Sequence, residues 1–194
     1  MTGSNAPLKV VVIGPESTGK STLCRELAEH YGTNWCPEYA REYLSAHGST
    51  YAYEDLLTIA RGQVRQEDET IDAFLIKTQA NERTDARPVF IDTDMYVMKV
   101  WCEFVFGRCH RYILDQINRR SYDLYLLCAT DLPWTRDALR EYPDLRTRET
   151  LFRIYLDCMM NQSVAWTVIR GSEGERLKHA IDAVDACIRE RGSR

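Results

Sequence analysis

An α/β architecture with a parallel sheet at its centre is what this chain encodes, and three observations carry that expectation. Short apolar runs rich in β-branched residues alternate with longer stretches of helical periodicity. The first run, LKVVVI at Leu8 to Ile13, leads directly into GPESTGKS at Gly14 to Ser21, a Gly-x4-Gly-Lys-Ser phosphate loop. Charged and turn-forming residues gather after the ends of the later runs, where open parallel sheets bind their ligands.

Taken in order, Leu8 to Ile13 reads as the first strand, and Lys20 to about Tyr31 as a helix with Leu23, Leu27 and Ala28 on one face. Thr33 to Cys36 is the second strand. A long helix is expected from Tyr53 to about Arg83, its apolar positions Leu56, Ile59, Ala60, Val64, Ile71, Phe74, Leu75 and Ile76 set among many charges. That mixture suits a helix lying over the domain surface, with the run RQEDE at Arg65 to Glu69 as a solvated or docking face. Pro88 to Ile91 is the third strand, followed by a helix from Met95 to Phe106. Asp123 to Cys128 and Ser163 to Ile169 complete five strands, with helices at Arg148 to Met160 and Gly174 to Arg189. The sequence holds no internal repeat and no linker.

The 194 residues fit one domain, 1–194, with the polar MTGSNAP at 1–7 as a flexible tail and about 131–149 as a mobile, arginine-bearing lid. A net charge of −4 argues against a broad nucleic-acid surface. Neither a signal peptide nor an apolar stretch of membrane-spanning length is visible. The seven cysteines are scattered without CxxC spacing, which fits reduced thiols in a cytoplasmic protein and no zinc site. The four histidines show no ligand spacing either.

The phosphate loop specifies its own chemistry. Backbone N–H groups of Glu16, Ser17, Thr18, Gly19, Lys20 and Ser21 are expected to face one concavity, reinforced by the positive end of the helix that follows. Lys20 meets the β- and γ-phosphates, and the Ser21 hydroxyl can ligate Mg²⁺. Gly14 and Gly19 permit backbone that a Cβ would obstruct. ATP with Mg²⁺ is the expected ligand.

Three further places could do chemistry. Asp92 closes PVFID, the strand-then-Asp arrangement that holds Mg²⁺ beside a phosphate loop, while Asp94 fits substrate binding or the N-cap of the next helix. Glu38, after the second strand, is placed by topology to orient an acceptor hydroxyl and take its proton, or simply to pair with Arg41; Glu42 reads as a solvated charge. The segment DLPWTRDALREYPDLRTRE, Asp131 to Glu149, carries Arg136, Arg140, Arg146 and Arg148. As a lid it would bring a guanidinium, foremost that of Arg140, to the transferring phosphate, with Arg136 and Arg140 on one helix face. Among the aromatics Trp35, Tyr39, Tyr96, Trp101 and Trp134, the substrate candidates are Tyr39 and Trp134, which flank these elements.

GPESTGKST, PEYARE, IARGQ at Ile59 to Gln63, FIDTD, and PW-x-x-D-A-L-R at Pro133 to Arg140 occur in that order. The chain thereby resembles, from about Leu8 to Val184, the ribosylnicotinamide kinase domain of bifunctional NadR proteins and the NadR-like ATPases. The resemblance implies a nucleoside-monophosphate-kinase-like fold and transfer of the ATP γ-phosphate to the 5′-hydroxyl of nicotinamide riboside. It implies that Gly14 to Thr22 hold ATP and Mg²⁺, that Glu38, Tyr39 and Arg41 serve as the E-Y-x-R segment, and that Asp92 and Asp94 serve as its DTD. It further implies that Arg140 and Arg148 are lid arginines, and that Gly171 and Ser172 lie near adenine. Where the bifunctional proteins carry a Trp before that Glu, this chain has Pro37. Another nucleoside or small alcohol as acceptor, and a regulatory ATPase using the RQEDE face, are the alternatives.

Overall fold

Leu8–Ile13 (β1), Trp35–Cys36 (β2), Pro88–Asp92 (β3), Leu124–Cys128 (β4) and Ala165–Ile169 (β5) pair into one sheet in the computed structural model, which describes residues 6–80 and 87–193. The strand order is β2-β3-β1-β4-β5, and every pairing is parallel. The helices are Lys20–Tyr31 (α1), Tyr39–His47 (α2), Tyr53–Ala80 (α3), Met95–Phe106 (α4), Arg111–Arg119 (α5), Leu145–Met160 (α6) and Glu173–Gly192 (α7).

Both faces of the sheet are covered, which is why β1, β3 and β4 read as continuous apolar runs. The pleat sends Leu8, Val10 and Val12 towards Leu23, Leu27, Ala180 and Val184 of α1 and α7. It sends Val11 and Ile13 towards Val97, Val100, Leu151 and Tyr155 of α4 and α6. A third cluster, with Ala40, Leu56, Ile59, Met98 and Ile113, joins α2, α3, α4 and α5 into a wall beside the strand ends. Each such buried Leu or Ile contributes about 1.5–3 kcal/mol.

The α/β class and the five parallel strands are as expected, and several local readings are corrected. Two helices add to those expected: α2, which buries only Ala40 and Leu44, and α5, which buries only Ile113. The helix expected from Arg148 begins at Leu145, where the Asp144 carboxylate accepts the Thr147 N–H at 2.8 Å. Residues 131–144 form no helix, so Arg136 and Arg140 share no helix face; Pro133 and Pro143 bracket the stretch and oppose helix on both sides.

The RQEDE run is not a uniform solvated face. Glu67 is 1% exposed and pairs with Arg120 at 2.9 Å, while the Tyr122 hydroxyl donates to it at 3.0 Å. Arg120 also grips Asp68 at 2.5 Å, and in return its guanidinium is held strongly in the charged form. The cause is rotational phase: Glu67 lies one turn beyond the buried Gln63, on the face of α3 that meets the sheet. Of the expected tail, residues 1–5 lie outside the described residues, while the Ala6 and Pro7 carbonyls accept from Arg191 at 3.0 and 3.1 Å. Arg83, the expected end of the long helix, also lies outside them.

Candidate active site

The phosphate loop leaves β1 at the centre of the sheet. Gly14 takes φ 140°, and a Cβ there would sit 2.7 Å from the Cys128 carbonyl oxygen of β4, so only glycine lets the loop pass. Inside the loop the Thr18 hydroxyl donates to the Pro15 carbonyl at 2.7 Å, and Lys20 Nζ donates to the same oxygen at 3.0 Å. Gly19, at φ 78°, is the N-cap of α1, whose first turn holds no acidic residue. The free N–H groups of that turn and the helix dipole therefore face the loop without competition from a carboxylate.

Register sets the next residue. Asp92 of β3 lies opposite Val12 of β1, two residues short of the loop. Its carboxyl is fully buried and neither oxygen has a hydrogen-bond partner. Burial, then the charge of Glu38, pushes it up to about 7, against the opposing pull of Lys20, Ser21 and Arg41 nearby. A buried, unpartnered carboxylate is costly, and a cation held with Ser21 would satisfy it. Among the described residues no group of three or more His, Cys, Asp or Glu is placed to hold a metal unaided. Magnesium at a phosphate loop needs only one or two protein oxygens beside phosphate and water, so the donor set fits.

Glu38 occupies the N-cap position of α2 without capping it, and its carboxylate lies 3.7 Å from Arg41. Arg41 also reaches Asp137 at 3.0 Å, and the two carboxylates hold its guanidinium charged. Two residues of the IARGQ stretch shape this corner. A Cβ on Gly62 would lie 2.0 Å from the Tyr39 ring, so the ring rests on bare helix backbone. Gln63, 1% exposed, accepts the Tyr39 N–H at 2.8 Å and donates to the Pro37 and Asp92 carbonyls, both at 3.4 Å.

Residues 131–144 cross above the loop. Ser17 Oγ accepts the Thr135 N–H at 2.9 Å and Arg140 Nη1 at 3.3 Å, and Arg140 also donates to the Thr135 carbonyl. Arg148, 2% exposed, donates to the Ser17 and Leu132 carbonyls at 3.1 and 3.2 Å.

A cleft of about 610 Å³ opens between these parts. It is lined by the whole loop from Gly14 to Thr22, by Glu38, Arg41, Asp92, Asp137 and Arg140, and on its far wall by Val97, Val100, Trp101, Phe104 and Leu139. Glu42, read as a solvated charge, is exposed at its rim.

Six expected site residues do not line this cleft: Tyr39, Asp94, Trp134, Arg148, Gly171 and Ser172. Tyr39 packs on α3, as above. Asp94 is the N-cap of α4: one oxygen accepts the Tyr96 and Val97 N–H groups at 2.9 and 3.4 Å, the other the Tyr125 hydroxyl at 2.8 Å. Burial pushes its carboxyl up to about 7 despite those bonds. Gly171 and Ser172 lie along a separate shallow groove with Asp131 and Pro133. The indoles facing the cleft are those of Trp35 and Trp101, while neither Tyr39 nor Trp134 lines it; Trp101 is fixed there by donating its indole N–H to Tyr51 at 2.8 Å.

One contributor escaped sequence reasoning. Arg176, 3% exposed, donates to the carbonyls of Thr18 and Ala129, each at 2.8 Å, to Gly171 at 3.0 Å, and to the Asp131 carboxylate. It ties the phosphate loop to the ends of β4 and β5 from beneath. The only readable sign was the S-x-x-E box at Ser172 and Glu175, which starts α7 and so places Arg176 in its first turn.

With this geometry in view, residues 9–176 match the AAA domain family. The Salmonella typhimurium trifunctional NAD biosynthesis/regulator protein NadR is 28% identical over 188 residues, 94% of this chain, and this chain spans 43% of that relative's length. A crystal structure of a NadR protein in complex with NR superposes with a TM-score of 0.70 at 24% identity, over 94% of this chain and 50% of the other. The thymidylate kinase of Ehrlichia chaffeensis superposes with a TM-score of 0.61 at 13% identity, over 92% of this chain and 99% of the other, which places the fold among the nucleoside-monophosphate-kinase-like folds. A glycine-framed phosphate loop on the central strand, matched across 9–176, makes this chain a member of the AAA domain family, as a phosphate-loop domain homologous to the NadR proteins.

Proposed function

We propose that this chain is an ATP-dependent kinase that transfers the γ-phosphate of ATP to the 5′-hydroxyl of nicotinamide riboside, giving nicotinamide mononucleotide. The observation that carries the reading is the convergence, in one cleft, of the unpartnered Asp92 carboxyl, Lys20 at the loop and Glu38. A phosphate loop that only binds nucleotide has no use for the second carboxylate or for an apolar far wall. Relatives of NAD biosynthesis and a neighbour bound to NR support the choice of acceptor.

The residues divide the work as follows. Loop N–H groups and Lys20 hold the polyphosphate and neutralise charge as it moves to the bridging oxygen. Ser21 and Asp92 are the residues that would hold Mg²⁺, which when bound draws charge from the phosphate oxygens. Glu38 orients the acceptor hydroxyl and takes its proton, with the Arg41 guanidinium beside it at 3.7 Å. Arg140 approaches the transferring phosphate from above, and the far wall excludes water from the reacting oxygen.

A second acceptor class stays in play on one observation: Pro37 stands in the cleft where the bifunctional proteins carry a Trp, and Trp35 lines the same side. Coupled ADP release with Mg-ATP, run against nicotinamide riboside and a nucleoside panel with Lys20→Ala as the blank, decides the matter. Lys20-dependent turnover on nicotinamide riboside is the expected result. Turnover confined to another nucleoside would replace the acceptor, and no stimulation by any panel member would overturn the kinase reading.

A further inference from the structure

The Glu16 carboxylate has no part in a phosphate-loop motif, whose contacts come from backbone N–H groups, the lysine and the hydroxyl. A negative charge beside a polyphosphate is repelled by it, so its orientation carries information. Its two oxygens accept the backbone N–H groups of two successive residues above the loop, Glu141 at 2.9 Å and Tyr142. Paired successive N–H groups form an anion-gripping concavity, here closed on a carboxylate from the loop itself. The neighbouring Ser17 hydroxyl accepts Thr135 N–H and Arg140.

The other flank of the same segment is fastened to the acceptor wall. Asp137 pairs with Arg41 at 3.0 Å, the Tyr51 hydroxyl donates to Glu141 at 3.0 Å, and the Tyr142 ring meets Phe104 edge-on at 5.5 Å. Residues 135–142 therefore bridge the two halves of the cleft, and Glu16 grips that bridge directly after Arg140.

We infer that Glu16 is a positioning residue: its carboxylate docks the 135–142 segment onto the phosphate loop and thereby sets Arg140 over the transferred phosphate. What Arg140 does there rests on the kinase reading; the docking itself does not. In Glu16→Gln one amide oxygen replaces two acceptors, so half of the grip survives. Glu16→Ala removes it.

Amide hydrogen exchange on the full chain, without nucleotide and with Mg²⁺ and a non-hydrolysable ATP analogue, tests the docking. Loss of hydrogen bonds to a charged acceptor is expected to raise exchange at Glu141 and Tyr142 about 10-fold or more in Glu16→Ala, with Glu16→Gln between it and the parent and β1 unchanged. In turnover, Glu16→Ala is expected to lower kcat about 10-fold, with a far smaller change in KM for ATP. Adding Arg140→Ala to it should cost little more, because both act through one guanidinium. Unchanged exchange at the two amides, or kcat losses of Glu16→Ala and Arg140→Ala that multiply, would overturn the inference. Absence of any accepting nucleoside would count against the kinase reading and leave the exchange result to decide the docking.

Discussion

The two halves of the cleft are built in opposite ways. On the side of the phosphate loop, consecutive residues from Gly14 to Ser21 form the loop, and a buried arginine, Arg176, fixes it from beneath through the Thr18 carbonyl. On the side that the proposed function gives to the acceptor nothing is consecutive: Glu38 and Arg41 come from the start of α2, Trp101 from α4, and Gln63 with Gly62 from α3 shape the corner. Chemistry that needs many backbone N–H groups in one place requires contiguous sequence. Recognition of an acceptor needs only a surface of the right shape, which distant residues can supply.

If the halves are separable, substitutions should sort by half. Lys20→Ala has the largest expected effect: turnover falls on the order of 10³-fold, since a charge aimed at the transferring phosphate is lost, while the urea unfolding midpoint barely moves. A fall under 10-fold would remove Lys20 from the chemistry. Arg176→Ala comes next. It strips four acceptors of a buried guanidinium, at a cost of about 3 kcal/mol in urea unfolding, and it weakens ATP binding more than acceptor binding. Equal weakening of both ligands would show the halves to be mechanically joined through α7.

Gly62→Ala tests the other half. Its new Cβ collides with the Tyr39 ring and displaces the start of α2, where Glu38 and Arg41 sit. Overpacking of this kind costs about 1–3 kcal/mol. The expected signature is a rise in the acceptor KM with the KM for ATP held; a change in ATP binding alone would break the division.

The same contrast explains what could be read in advance. The loop, the five strands and Asp92 were legible because each is local: a motif, an apolar run, a carboxylate at the end of a run. Tyr39 and Trp134 stand near charged segments in sequence, yet Tyr39 turns onto Gly62 and Trp134 stays outside the cleft. Trp35 and Trp101 face it because of strand phase and helix packing, neither of which adjacency reveals. Arg120 and Glu67 meet across α3 and the α5 end, a contact invisible in two stretches that each look solvated. Arg140 is legible as a charge, but the backbone grip of Glu16 beside it belongs to a non-helical path set by two prolines.

The smallest expected effect separates two carboxyls that the sequence presents as a pair. Asp92 and Asp94 are each pushed up to about 7 in the folded chain, against about 4 for an unfolded aspartate. Between those values the folded state holds protons that the unfolded state has released, so stability falls as pH rises through the window and levels off above it. In EDTA, the melting temperature should therefore decline from pH 5 to pH 8. Asp92→Asn is expected to flatten part of that decline, because its carboxyl is fully buried without a hydrogen-bond partner and desolvation outweighs the pull of Lys20 and Arg41. Mg²⁺ with an ATP analogue should raise the parent's melting temperature most at pH 8, where the Asp92 anion is present to be used, and should do so weakly in Asp92→Asn. Asp94, bonded on both oxygens to the α4 N-terminus and Tyr125, should keep its share of the slope whether or not nucleotide is present. If nucleotide abolished the slope entirely, Asp94 would be acting in the site and not as the cap of α4.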